Sequence, residues 1–451
     1  MIQLKSLRLI LPGIVMSSVS AAPVLAQTTP APDPSIQQVA PPPTPAPEKP
    51  SSFGRMLDYK GDFWSRYELR SGYWEKGLRN NRLHRDGDTI VYRARLALKT
   101  APVDIGGAKG SATFVPQAAG TMGVGNAPLT IADTWDLRLY EGFFTLQGDA
   151  YKFDVGRFMM DYGDAAVIGN LGWNETARAF QGMRSRFTLG EKAWLDAFVT
   201  LIEEGTPTAT DQDVGNGDRY FYGLYADVGP LITKGLTLEP YVLGQTWGAD
   251  TATDDAGVSS RVDSATQVTL GTRVKQKIDL FDYRVEAGFQ TGTRPGGAEA
   301  TDLSAFQADA TVGISPAKGF RIGVGGLIAS GDDPETVENE AWDQLYPTAH
   351  KFLGLSDVVG GRSNISSLYA NVKYAVDKSL IFKVDAHTFN RVETAEDAPS
   401  SLGSELNFHA IKKLGGKGVV RAMYAIFLAN SDFWPTDDPV HFLEIQYGLK
   451  L

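Results

Sequence analysis

The chain has 451 residues, no cysteine, and 43 Lys and Arg against 53 Asp and Glu, for a formal net charge of −10. Without cysteine there is no disulfide framework and no thiolate metal site, and the acidic balance argues against a nucleic-acid partner. Mean hydropathy is −0.18, with no long apolar run beyond the N-terminus. A helical membrane protein is thereby excluded, but not a transmembrane barrel, whose alternating strands average to ordinary hydropathy.

Residues 1–26 are expected to be a signal peptide. Lys5 and Arg8 give a positive start, Leu9 to Val19 an apolar run, and Val24-Leu25-Ala26 a cleavage site after Ala26. That run is too short to cross roughly 30 Å of hydrocarbon. Residues 27–56 are rich in proline, as in APPPTPAPEKP. They predict a disordered, semi-stiff periplasmic spacer, or alternatively a docking ligand for a periplasmic export partner.

From 57 to 451 one pattern repeats. Segments of about ten residues alternate apolar and polar, as strands do. In the first, Phe63, Ser65, Tyr67 and Leu69 oppose Asp62, Trp64, Arg66, Glu68 and Arg70. The last runs Leu443, Ile445, Tyr447, Leu449 and Leu451 against Glu444, Gln446 and Lys450. Connections alternate between long ones (near 75–88, 119–133, 160–176, 203–218, 248–264, 293–301, 330–363, 391–402 and 429–440) and tight turns such as Gly148-Asp149 and Asp377-Lys378. This predicts an all-β fold: a transmembrane antiparallel β-barrel of about 18 strands, porin-like, with both ends periplasmic, lipid outside and an aqueous lumen.

Strand parity sorts the charges. Roughly twenty basic and about eleven acidic residues fall on predicted inward faces, so that a net-acidic chain would enclose a basic channel. The candidate pore-lining residues are Arg66, Arg70, Arg93, Arg95, Arg138, Arg157, Arg178, Arg184, Arg186, Arg273, Arg284 and Arg321, joined by Lys383 and Arg421. Arginine rings are the expected lining of an anion-selective pore. Cross-strand pairing with carboxylates is the competing structural role. Trp64, Trp194 and Trp247 also fall inward, where indole faces could stack on sugar rings; membrane-interface girdling is the alternative.

Two segments carry a family resemblance. VGRFMMDYGDAAVIGNLGWNETARAFQGMRSRF spans 155–187, and SGDDPETVENEAWDQLYPTAHKFLGLSDVVGGRSNI spans 330–365. In the first, Arg178, Phe180, Gly182 and Arg184 carry the likeness; in the second, Ser330 to Asp333 and Tyr346, Pro347, Thr348, His350, Lys351 and Gly354 do. Both segments resemble the alginate-export family of outer-membrane porins, with the likeness running from about residue 58 to the end. The resemblance implies an eighteen-stranded barrel with an electropositive pore that releases an anionic exopolysaccharide. An anion-selective uptake porin for small carboxylates or oligosaccharides is the alternative.

The 330–363 loop is expected to fold over or into the outer mouth as a gate, because long loops with their own packed residues are more often functional. Tyr346, His350 and Lys351 would pack against the rim, and Asp332 and Asp333 would hold the loop by pairing with basic strands. No cofactor, metal site or catalytic set is expected: the five histidines, His84, His350, His387, His409 and His441, have no metal-ligand spacing.

Overall fold

The computed structural model describes residues 57–73, 86–122, 135–204, 217–253, 259–295, 299–415 and 417–450. The expected signal peptide and proline-rich segment lie outside these residues. Eighteen long strands follow in chain order: β1 Leu57–Ser71, β2 Gly87–Thr100, β3 Ala108–Met122, β4 Trp135–Gln147, β5 Tyr151–Phe158, β6 Phe180–Thr188, β7 Trp194–Glu203, β8 Arg219–Asp227 and β9 Thr237–Trp247. The second half comprises β10 Ala265–Ile278, β11 Phe281–Pro295, β12 Ala300–Ala317, β13 Phe320–Ala329, β14 Ile365–Ala375, β15 Leu380–Asn390, β16 Ser401–Lys413, β17 Gly418–Ala429 and β18 Val440–Lys450. No helix among the described residues is long and apolar enough to cross a membrane.

Each strand pairs antiparallel with the next, and the last returns to the first: Asp62 lies opposite Lys450 and Ser71 opposite His441. This closure gives every strand two neighbours and abolishes the sheet edges. Connections 72–86, 123–134, 159–179, 204–218, 248–264, 330–364, 391–400 and 430–439 share one end with the shorter 296–299. Turns such as 148–150, 279–280 and 318–319 lie at the other end with both described termini.

Burial is inverted relative to a soluble fold. Leu137, Phe144, Met183, Val199, Leu270 and Leu368 are exposed on the outer face, whereas Arg66, Glu68, Gln117, Asp196, Gln290 and Glu444 are buried inside. Water-soluble proteins seldom expose such a continuous apolar belt while hiding charge. The arrangement satisfies a barrel whose outside meets hydrocarbon and whose backbone hydrogen bonds are all made between strands.

Candidate functional site

Two of the long connections turn inward and fill part of the lumen. The first is 159–179. Its Met160, Val167 and Ile168 are almost fully buried and join one apolar cluster with Phe180, Phe198, Phe221, Tyr225, Tyr241 and Leu243 of the β6–β9 wall. Tyr162 inserts among the wall aromatics, stacked on Tyr225 at 4.6 Å and on Trp194 at 6.0 Å. Its hydroxyl donates to Asp196 at 2.7 Å. The second is 330–364, which contributes Trp342, Leu353, Val358 and Val359 to the same cluster. The alternation of a strand is absent from both segments, because their apolar residues pack as a small core of their own.

The two loops are joined to each other. Tyr346 N donates to Val167 O at 3.0 Å and Gly169 N to Tyr346 O at 2.8 Å, an isolated parallel bridge between Ile168 and Tyr346, and Thr348 N donates to Ala165 O at 2.9 Å. Gly169 permits the approach: a Cβ there would collide with the Thr348 hydroxyl and the Ala165 methyl. Arg178 donates to Gly169 O and Pro347 O, both at 3.2 Å, and so ties one carbonyl from each loop. Lys351 donates to Asp164 O at 2.8 Å. The pair therefore behaves structurally as one plug.

Charged wall residues grip this plug through its backbone. Arg66 donates to Trp173 O at 2.7 Å, Arg93 to Gly172 O and Asn174 O at 3.2 Å each, and Arg184 to Met159 O at 3.2 Å. Arg273 makes a two-pronged contact with Asp164 at 3.1 and 2.8 Å, the fork geometry suited to a carboxylate. Burial pushes the Asp164 carboxyl up, but Arg273, Arg284 and Lys351 outweigh it and hold the group below its ordinary value.

Wall carboxylates grip from the other side. Glu444 accepts from Trp173 Nε1 at 2.8 Å. Glu405 accepts from Leu355 N at 2.5 Å and from the Ser356 hydroxyl. The approach to Glu405 needs Gly354, whose φ is +84° and whose absent side chain would fall on that carboxylate.

Most of the candidate arginines are ion-paired rather than lining an unopposed basic tube. Arg66 and Arg70 share Glu68 at 2.6 and 2.5 Å. Arg184 meets Asp154 at 2.8 Å, Arg186 meets Asp196 at 2.6 Å, and Arg273 also meets Glu239 at 2.7 Å. Arg284 meets Asp309 and Arg321 meets Asp282, both at 2.5 Å. Arg138 pairs with Asp136 and remains half exposed. Pairing, the competing structural role, thus accounts for these eight residues.

Arg93 and Arg95 stand apart. Arg95 donates to Gln117 Oε1 at 2.6 Å and lies 3.5 Å from the Tyr140 ring centroid. Arg66 and Arg93 both face Trp64, at 4.8 and 5.1 Å. Buried N–H groups of all three, Arg66 Nη2, Arg93 Nε and Arg95 Nη2, have no hydrogen-bond partner among the described residues.

Two sequence expectations are corrected by position. Arg157 pairs with Gly142 and Gln181, one residue out of step with the inward Asp154 and Arg184 that face each other. It therefore shares the outer face with exposed Phe144 and donates to Tyr140 O at 3.2 Å. Inward Gly156, which carries no side chain, hides the true parity of that strand. Asp332 and Asp333 do not anchor the loop to basic strands: they accept from Glu340 N at 2.8 Å and Glu335 N at 2.9 Å, within the loop's exposed tip.

The other three loop candidates lie deep in the plug. Tyr346 donates to Gln245 at 2.7 Å, and His350 stacks on Trp173 at 3.9 Å and reaches Asp357 at 2.9 Å. The anchors that sequence reasoning missed are Asp164, Glu405 and Arg362, which is fully buried and binds Asp309 at 2.6 Å. Asp164 sat in the DYGD of the first distinctive segment; the other two carried no local signal.

A closed eighteen-strand barrel with an apolar exterior, a charged interior and inward loops is an outer-membrane porin. Residues 127–417 match the family model described as alginate export, and the chain belongs to that family. The match is narrower than the likeness expected from residue 58 onward.

The fold is shared with solved porins. OccK5 (OpdH) of Pseudomonas aeruginosa superposes with a TM-score of 0.58 at 14% identity, covering 88% of this chain and 99% of that one. OpdK of the same organism, solved with vanillate, gives 0.57 at 13% identity over 87% and 98%. OccAB3 of Acinetobacter baumannii gives 0.59 at 10% identity over 88% and 99%. At such identities the likeness is one of fold. No curated protein sequence matches the chain.

Proposed function

We propose that this porin passes an anionic polysaccharide, alginate-like in chemistry, out of the cell, with wall guanidiniums along its path and the joined loops as its gate. It transports without chemistry on the substrate, and a periplasmic export partner would feed it. The observation that carries the reading is the pair Arg66 and Arg93 on Trp64, with Arg95 on Tyr140, in which buried N–H donors have no partner among the described residues. Charge and donors suit a carboxylate. Trp64, Arg66 and Arg93 are buried, the two arginines under the loop carbonyls they hold, so this cluster would meet the polymer as the loops open. Family membership supports a saccharide as the cargo.

The test is reversal potential across a planar bilayer under a salt gradient. Anion preference that weakens at higher salt is expected, because mobile ions screen the wall charges. Cation preference would overturn the proposal. Adding oligouronates to the short-turn side should then produce transient current blockades.

Uptake of small anionic solutes is the second reading. It is favoured by the joined loops, which narrow the lumen, and by the OpdK structure, which was solved with vanillate. Liposome swelling separates the two: entry of benzoate without any oligouronate blockade would favour uptake.

A further inference from the structure

The geometry points to a saccharide-binding site on the outer surface of the plug, away from the guanidinium cluster; its ligand class rests on the export reading above. At the long-loop ends of β9 and β11, an open cavity of about 460 Å³ separates wall from loop. Trp247 and Arg294 line it from the wall, and Trp342, Asp343, Gln344 and Ser363 line it from 330–364. Its volume lies within the ~300–1,000 Å³ usual for small-ligand sites.

The lining is rigid and electrically balanced. Arg294 is fixed by donation to Asn339 Oδ1 and Ala341 O, both at 2.9 Å. The Asp343 carboxylate accepts from Leu345 N at 3.0 Å and Gln267 Nε2 at 3.2 Å. Arg219 lies 5.1 Å from the Trp247 ring centroid and steadies that indole. The Trp342 Nε1 donor is buried without a partner among the described residues.

Among the lining residues one cation, Arg294, is balanced by one anion, Asp343, and Arg219 is taken up by the Trp247 ring, so a bare small carboxylate gains little here over water. A pyranose unit gains more: its hydroxyls both donate and accept, and its C–H face packs on an indole. The site would therefore hold one sugar unit of the polymer at the outer mouth, beside the plug.

Calorimetric titration of the full-length barrel in detergent tests this, with short oligomannuronates, maltooligosaccharides and benzoate as probes. Oligosaccharide binding should weaken at least about tenfold in Trp247→Leu and be largely kept in Trp247→Phe. Heat-modifiable gel mobility would show that each variant retains a folded barrel. Equal affinity in Trp247→Leu, or displacement of the sugar by benzoate, would overturn the site. Oligouronate blockade of the wild-type channel together with unchanged affinity in Trp247→Leu would sink the site and leave export standing. Absence of both binding and blockade would sink both.

Discussion

The plug is held on two sides by different physics. Toward β6–β9 it meets aromatic rings: Phe180, Phe221 and Tyr346 pack within 4.7 to 6.2 Å of one another around Ile168. Toward β1, β2, β16 and β18 it meets charges that bind its carbonyls and N–H groups, through Arg66, Arg93, Glu405 and Glu444. Apolar burial is non-directional and insensitive to salt, whereas charge-assisted hydrogen bonds respond to protonation. The aromatic side, with Arg184 and Asp196 as its charged contacts, therefore supplies most of the cohesion, and the other side holds mainly through charge.

The largest effect should come from the aromatic side. Ile168→Ala removes fully buried methylene from the joint between the loops, a loss of about 2–5 kcal/mol. We expect frequent large-conductance openings at all salt concentrations. Wild-type recordings from this variant would show that the apolar side does not hold the plug.

Glu405→Gln should come next. It keeps the shape but puts an amide N–H where an acceptor oxygen faced the loop donors, and a buried donor left without an acceptor costs about 1–3 kcal/mol. Proteolysis near Leu355 and Ser356 should quicken while cleavage near Ile168 stays slow. Equal acceleration at both places would erase the distinction between the two sides. A smaller change is expected from Arg93→Met: the single Nη1 of Arg93 shares two long 3.2 Å bonds, together at the weak end for a charged donor, about 1.5 kcal/mol. Its readout is a modest rise in flicker noise, together with weaker anion preference.

The pH response should be the subtlest. Burial raises the Asp161 carboxyl from 3.8 to about 6, with Lys351 opposing and Asp164 adding to the rise. Burial lowers the Lys351 ammonium from 10.5 to about 8, against the pull of Asp164 and Asp161. The raised carboxyl favours docked loops at low pH, an advantage lost as pH climbs from about 4 to 6. The lowered ammonium costs docking at neutral pH, a cost relieved as pH climbs above about 8. Docking is thus weakest between about 6 and 8, and open probability should peak there. Asp161→Asn should remove the acid limb alone; an unchanged acid limb would show that another group governs it.

How much of this was legible in the sequence follows from where the information lies. Strand alternation is local, so the eighteen strands, the closing strand and the long-loop end could all be read, with only 293–301 shrinking to a four-residue link, 296–299. Facing was readable wherever polar residues mark the inner side, and it failed at Arg157, where Gly156 leaves that side blank. The plug is non-local. Asp164 and Arg273 stand 109 residues apart, and nothing near either announces the other. Asp332 and Asp333 looked like anchors by charge alone, yet in an exposed tip their nearest unsatisfied partners are the N–H groups of their own turn.

The most direct test of the gate uses the lack of native cysteine. Ala165 and Thr348 are joined by the hydrogen bond from Thr348 N to Ala165 O, and their side chains converge on Gly169. The double variant Ala165→Cys with Thr348→Cys should cross-link on oxidation in the folded barrel. Oligouronate passage should then stop and return with reductant, while small-ion current persists throughout. A pair that fails to cross-link in the folded barrel, or equal polymer passage in the oxidised and reduced forms, would contradict a gate built from the two joined loops.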